Sequence, residues 1–140
     1  MIICTVEKAK AMSKPYAVIK GIDHRIETHH VTLRDLSRSP SVEIAAEKAG
    51  VHDAPVDVAE IYAPFSHQEI IVKRALGLDD SVAINPSGGV LAGHLFMASG
   101  LSRVGEVAKR IIAGEYKRGV AHATSGPCLQ QNMITVLEGM

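Results

Sequence analysis

The stretch NPSGGVLAGHLFMASG, Asn85 to Gly100, sets one imidazole, His94, among Gly88, Gly89, Gly93 and Gly100. A histidine titrates near neutral pH, so it can take a proton or hydrogen-bond an oxygen. Glycines let the backbone come close to a ligand. Read as the opening of the helix that follows, His94 would also meet a helix N-terminus, which favours the neutral ring. A phosphate loop is excluded, because no Lys and Ser/Thr follow the glycines as G-x-x-x-x-G-K-[ST] requires. A dinucleotide loop is excluded by the missing G-x-G-x-x-G spacing. The alternative left open is a connecting turn that carries a surface histidine.

The elements that must position this loop alternate between strand and helix. The sequence predicts a short β-branched strand at MIICTV and a short helix at EKAKAMS stopped by Pro15. A strand over YAVIKGIDHRIE loosens around Gly21. The helix SPSVEIAAEKAGV is capped by Ser39 or Ser41, with Pro40 at an early position and Gly50 as its stop. Its expected apolar stripe is Val42, Ile44, Ala45 and Ala49. PVDVAEIYA alternates apolar residues with acids as a strand. FSHQEIIVKRALGL is an amphipathic helix with Phe65, Ile70 or Ile71, Ala75 and Leu78 near helical spacing. SVAIN is a strand leading into the histidine loop. A long helix then places Leu101, Val104, Val107, Ala108, Ile111 and Ile112 on one side and stops at Gly114. GVAHAT and NMITVLEG close the chain as strands around SGPCLQQ. The order β-α-β-α-β-α-β-α-β-β implies an α/β domain, a mixed five-stranded sheet with helices packed on it.

Bulk properties narrow the functional classes. A length of 140 residues with 46% apolar content suits one domain over the whole chain. Fifteen basic side chains balance fifteen acidic ones, so no field points to nucleic acid, and no aromatic platform offers to stack bases. No apolar run approaches the roughly 20 residues of a membrane span, and the N-terminus carries no signal-peptide pattern. Cys4 and Cys128 make no disulfide framework, and a cytoplasmic location is the expectation. His24, His29 and His30 match no metal-ligand spacing, so no metal is expected.

The loop resembles the thiolase-superfamily segment N-x-x-G-G-x-x-x-x-G-H-P-x-G-A-[ST]-G, at Asn85, Gly88, Gly89, Gly93, His94, Ala98, Ser99 and Gly100. The likeness extends on both sides. MIICTVEKAKAMSKPYAVIKG resembles the opening strand and helix of the family's C-terminal domain. SVEIAAEKAGVHDAPVDVAEIYAPFSHQEI is similar to the helix, strand and helix before the histidine, and VGEVAKRIIAGEYKRGVAHAT to the helix and strand after it. The resemblance implies a thiolase-like C-terminal domain and carbon–carbon bond chemistry beside a coenzyme A thioester, which is a substrate rather than a bound cofactor. It implies that His94 activates a cysteine of an N-terminal half and helps hold a thioester oxygen. Gly89, Gly93, Ser99 and Phe65 would then lie along the acyl-CoA.

The chain also departs from the family. Tyr62 of YAPF stands where Asn-Glu-Ala-Phe or His-Asp-Cys-Phe places Asn or His, while Phe65 is kept and Pro64 replaces the second motif's cysteine. Tyr62 is either the second polar group of the site or a packed strand-end aromatic; a phenol of pKa near 10 is a poor base unless perturbed. Many thiolases carry an acid/base cysteine in the last loop. An ungapped match puts Gly126 there, and a two-residue shift lets Cys128 serve, against the alternative of a small buried residue. His122, Ser125 and His67 are weaker candidates, and the His24–His30 stretch would lie near the coenzyme A channel. Neither Cys4 nor Cys128 lies in the strand-to-helix setting of an acylated nucleophile. The resemblance therefore implies a split enzyme completed by a thiolase N-terminal-domain chain, or an isolated half, with an exposed apolar face and association in either case, including with copies of itself. An OB-fold acyl-CoA-binding protein accompanies some relatives. Three functions follow as expectations: a thiolase-type acyltransferase, a retro-aldolase acting on acyl-CoA side chains, or a non-enzymatic subunit of a thiolase-like complex.

Overall fold

The computed structural model describes residues 1–126 and 128–140. It contains one five-stranded sheet in the order β1-β5-β4-β2-β3, built from β1 (Ala17–Ile26), β2 (Val58–Ile61), β3 (Ala83–Ile84), β4 (Arg118–Ser125) and β5 (Gln131–Gly139). β2 pairs in parallel with both β3 and β4, while β4–β5 and β5–β1 are antiparallel. The α/β class with a mixed five-stranded sheet is therefore the observed one. The register of β1 against β5 slips between Ile19 and Gly21, where the sequence reading places a loosening.

Helices cover both faces, and strand alternation decides which residue meets which layer. α2 (Pro40–Ala49) and α3 (Ser66–Ala75) pack on one face over Ala59, Ile61, Val120, Ile134 and Val136. α5 (Ser99–Ile112) packs on the other over Val58, Ala121 and Leu137. Gly100 lets α5 approach β4, because a Cβ there would stand 2.7 Å from Cβ of Ala123. Gly50 ends α2 in the left-handed conformation.

Several expectations about packing change. Met1–Val6 forms no strand; α1 runs from Val6 to Ala11, with Thr5 accepting the Lys8 N–H. A β-branched run signals a surface that wants partners rather than strand pairing itself. Here Ile2, Ile3 and Cys4 line an apolar groove of about 720 Å³ with Val18, Val104 and Ala108. Ile44, Ile70, Phe65, Leu101 and Ile112 are exposed rather than in the core. α2 instead buries Val42, Ala45, Ala46 and Ala49, and α3 buries Gln68 and Val72. Small residues on the contact side of α2 bring it near the sheet and leave the larger Ile44 outside. Among the described residues no helix is long and apolar enough to cross a membrane.

Candidate functional site

The three parallel strands run the same way, so the segments leaving their carboxyl ends share one edge of the sheet. β2 leads to Tyr62, β3 to Asn85 and the glycine-rich loop, and β4 to the loop carrying Cys128. From β2 the chain crosses over α3, on one face, to β3 at the sheet's edge. It then returns over α5, on the opposite face, to β4 on the far side of β2. In open α/β sheets, ligands bind at the carboxyl ends of the strands where the crossover direction changes.

At this edge Tyr62 Oη lies 2.8 Å from His94 Nε2. The ring centroids are 5.8 Å apart at an interplanar angle of 43°. Tyr62 is half-buried and held by its own N–H, which donates to the His122 carbonyl at 3.3 Å. His94 is exposed, with Phe96 set edge-on against it at 5.3 Å. In the tautomer that carries the ring proton on Nδ1, Tyr62 donates to Nε2; in the other, Nε2–H donates to the Tyr62 oxygen.

His94 does not open a helix, as its sequence position suggests. It lies between the short α4 (Gly89–Ala92) and a 3-10 turn, Phe96–Ala98, and α5 starts only at Ser99. Three residues separate Gly89 from Gly93 where the thiolase pattern has four, and Leu95 and Met97 replace its Pro and second Gly. The loop enters with Asn85 in the left-handed region, φ 49°, followed by Gly88 and Gly89 at φ 86° and 61°. The Asn85 side chain closes this turn: its Oδ1 accepts the Ile61 N–H at 2.7 Å, and its Nδ2 donates to Glu69 Oε2 at 2.6 Å. A Cβ on Gly89 would press on that side chain. A Cβ on Gly93 would meet nothing within 4 Å, so Gly93 leaves open space beside His94.

Cys128 is partly buried in the β4–β5 loop, of which Pro127 lies outside the described residues. The loop's main chain is tied down. Arg34 donates to the Cys128 carbonyl at 2.9 Å and pairs with Glu27 at 2.6 Å. Glu27 accepts from the Ser41 hydroxyl and N–H and from the Ser39 hydroxyl. The N-terminus of α2 is thus capped by a carboxylate from the end of β1 rather than by its own serines. Burial pushes the Glu27 carboxyl up, and the Ser41, Ser39 and Arg34 interactions outweigh it, holding the group below the usual carboxylate range. Asn132 extends the network, donating to Ser41 Oγ and the Leu129 carbonyl. Its Oδ1 meets Nε2 of the fully buried His122 at 2.9 Å. Burial drives His122 down to about 4, against the opposing hydrogen bond to Asn132. His122 therefore sits inside the domain as a neutral structural group.

The remaining sequence candidates are placed apart. Phe65 is exposed and stacks on His67 at 5.8 Å. Ser99 is fully buried, its hydroxyl without a hydrogen-bond partner among the described residues. Ser125 is exposed at the end of β4, and Cys4 is exposed in the N-terminal segment. His29 and His30 lie against each other at 4.3 Å. Sequence reasoning misses Glu60, Ser87 and Arg103, which join beneath the histidine loop. The available signal is the acid in VAEIY, inside a strand that is buried at every position.

The comparisons agree with this architecture. Residues 14–136 match the thiolase C-terminal domain family. The beta-ketothiolase BktB of Cupriavidus necator is 40% identical over 62 residues, 44% of this chain and 16% of that protein. An acetyl-CoA acetyltransferase of Methanocaldococcus jannaschii is 28% identical over 134 aligned residues, covering 76% of this chain and 34% of its own length. The crystal structure of a monomeric SCP2-thiolase-like protein type 1 from Mycobacterium smegmatis superposes with a TM-score of 0.76. It shares 17% identity and covers 95% of this chain and 32% of that one. The chain spans about a third or less of the length of these relatives. With the match running from Lys14 to Val136, the chain belongs to the thiolase C-terminal domain family.

Proposed function

We propose that this chain is the C-terminal catalytic half of a thiolase-type acyltransferase that makes or breaks a carbon–carbon bond next to a coenzyme A thioester. The observation that carries the reading is the Tyr62–His94 hydrogen bond at the carboxyl edge of the parallel strands. Removing a proton alpha to a thioester creates an enolate, so the site needs a base within reach and a donor aimed at the developing oxygen. His94 is the base that activates a nucleophilic cysteine and helps hold the thioester oxygen. Tyr62 fixes the ring and is the second polar group of the site. Cys128, with its backbone anchored, is the candidate acid/base that returns a proton to the leaving carbon. Gly93 borders the path of the acyl-CoA in this scheme, with Phe65 as a further contact, while Gly89 and the fully buried Ser99 shape the loop rather than touch the ligand.

The nucleophilic cysteine belongs to an N-terminal half that completes the site. Leu91, Leu95, Phe96, Met97 and Leu101 support this, because they are all exposed and flank His94 directly, Met97 at 93%. An apolar flank of this kind beside a polar pair calls for a covering surface. Cytoplasmic placement, self-association and an OB-fold acyl-CoA-binding companion belong to the same proposal.

A second reading is favoured by Tyr62 itself. In a retro-aldol cleavage of a β-hydroxyacyl-CoA side chain, the substrate hydroxyl proton passes to Tyr62 as Tyr62 passes its own to His94. The carbon–carbon bond then breaks to a carbonyl and an enolate, which takes up the proton held on His94 to give the shortened acyl-CoA. No nucleophilic cysteine takes part. Reconstitution with a thiolase N-terminal half and an acetoacetyl-CoA cleavage assay separates the two, since only thiolysis consumes free coenzyme A. Loss of about 100-fold or more in His94→Ala supports its role as base; an equally fast variant refutes that role.

A further inference from the structure

A buried charged cluster joins β2 to both roots of the histidine loop. Glu60, on β2, is 0% exposed, and Arg103, on α5, is 4% exposed. Arg103 Nη1 donates to Glu60 Oε2 at 2.9 Å. Ser87 closes the cluster: its N–H donates to Glu60 Oε1 at 3.0 Å and its hydroxyl to Oε2 at 2.7 Å. The same hydroxyl oxygen accepts from Gly89 N–H and from Arg103 Nη1, both at 3.1 Å. One donor and two acceptor positions are all that a serine hydroxyl has, and all are used.

A buried ion pair is a weak device for stability, since well-packed apolar residues serve as well or better; its surer use is to fix one arrangement against others. The arrangement fixed here is informative. Glu60 stands on β2 two residues before Tyr62, which follows directly on that strand, while Ser87 and Arg103 bracket His94 in the chain. Between those brackets, residues 91–98 are exposed and find little of the core to rest on. The loop is therefore set by its roots, and the carboxylate of Glu60 holds both roots to the strand that carries Tyr62. We propose that Glu60, Ser87 and Arg103 are positioning residues that set the 2.8 Å approach of Tyr62 Oη to His94 Nε2. The importance of that approach for turnover rests on the functional reading above; the positioning itself does not.

The test is a long-range ¹H–¹⁵N correlation spectrum of the His94 ring in the full 140-residue chain. Tyr62→Phe defines the spectrum of the ring without its partner. Glu60→Gln and Ser87→Ala are expected to move the Nε2 resonance at least half of the way towards the Tyr62→Phe position, although both rings remain. Arg103→Lys, which keeps a cation at the cluster, is expected to move it less. Ser87→Ala leaves the Glu60–Arg103 pair in place, so it decides the matter if Glu60→Gln fails to fold. A wild-type His94 spectrum in folded Ser87→Ala overturns the proposal, as does a Tyr62→Phe spectrum identical to wild type. Full turnover by Tyr62→Phe in the reconstituted enzyme would instead overturn the functional reading and leave the positioning result standing.

Discussion

The loops after β3 and β4 reach the same edge of the sheet and are held in opposite ways. The histidine loop is fastened at Asn85, Ser87 and Arg103 and left bare between them, so its functional group projects from a short exposed span. The Cys128 loop is gripped through its own carbonyls by Arg34, with Glu27, Ser41, Asn132 and His122 behind it. One loop has rigid roots and an accessible side chain; the other has a fixed backbone. Under the function proposed above, a loop that receives a substrate and a second protein surface needs the first kind, and an acid/base held at one spot suits the second.

The comparison can be broken most forcefully at the root of the histidine loop. Glu60→Leu strands the Arg103 charge in the interior and is expected to cost about 3–5 kcal/mol in chemical denaturation. Arg34→Leu removes a carbonyl clamp and an ion pair that is less deeply buried, and about 2 kcal/mol is expected. Equal costs would erase the distinction between the two fastenings.

Glycine substitutions sharpen it next. Gly100→Ala drives a methyl against Ala123 and is expected to destabilise by about 1–3 kcal/mol. Gly93→Ala meets only open space, so its melting temperature should match wild type while cleavage by the reconstituted enzyme falls. A Gly93→Ala variant with full activity would show that no ligand passes there.

The smallest effect is a pH slope. The unfolded chain protonates His122 near its ordinary 6.5, and the folded chain resists down to about 4. The folded state binds fewer protons across that window, so this contribution is fully present above pH 6.5 and is lost as the pH falls towards 4. The slope is at most about 1.4 kcal/mol per pH unit. His122→Gln should flatten denaturation midpoints between those pH values; an unchanged slope would mean that the ring is not held neutral inside.

The fold was largely legible because periodicity marks elements well. The helix at Pro40–Ala49 and the strand at Ala17–Ile26 follow directly from pattern and punctuation. Met1–Val6 misled because β-branched content marks a surface that suits a partner without supplying one, and here Ile2 and Ile3 stay largely exposed beside an apolar groove. Tyr62 and His94 were legible from motif positions 32 residues apart, but their hydrogen bond was not, since it depends on where two crossovers return the chain. Glu60 was hidden for a related reason: an acid in a strand reads as solvent-facing until α5 is known to bring Arg103 over it. His122, a weaker candidate in the sequence, is the reverse case, a titratable side chain on β4 that faces inward.

In the proposed site, Tyr62 and His94 act as one unit. A double-mutant cycle on kcat/KM for cleavage of acetoacetyl-CoA by the reconstituted enzyme tests it, with Tyr62→Phe, His94→Ala and the pair combined. The double variant is expected to be scarcely slower than His94→Ala alone, as for residues that work together. Losses that multiply independently, or a Tyr62→Phe enzyme as fast as wild type, would contradict it.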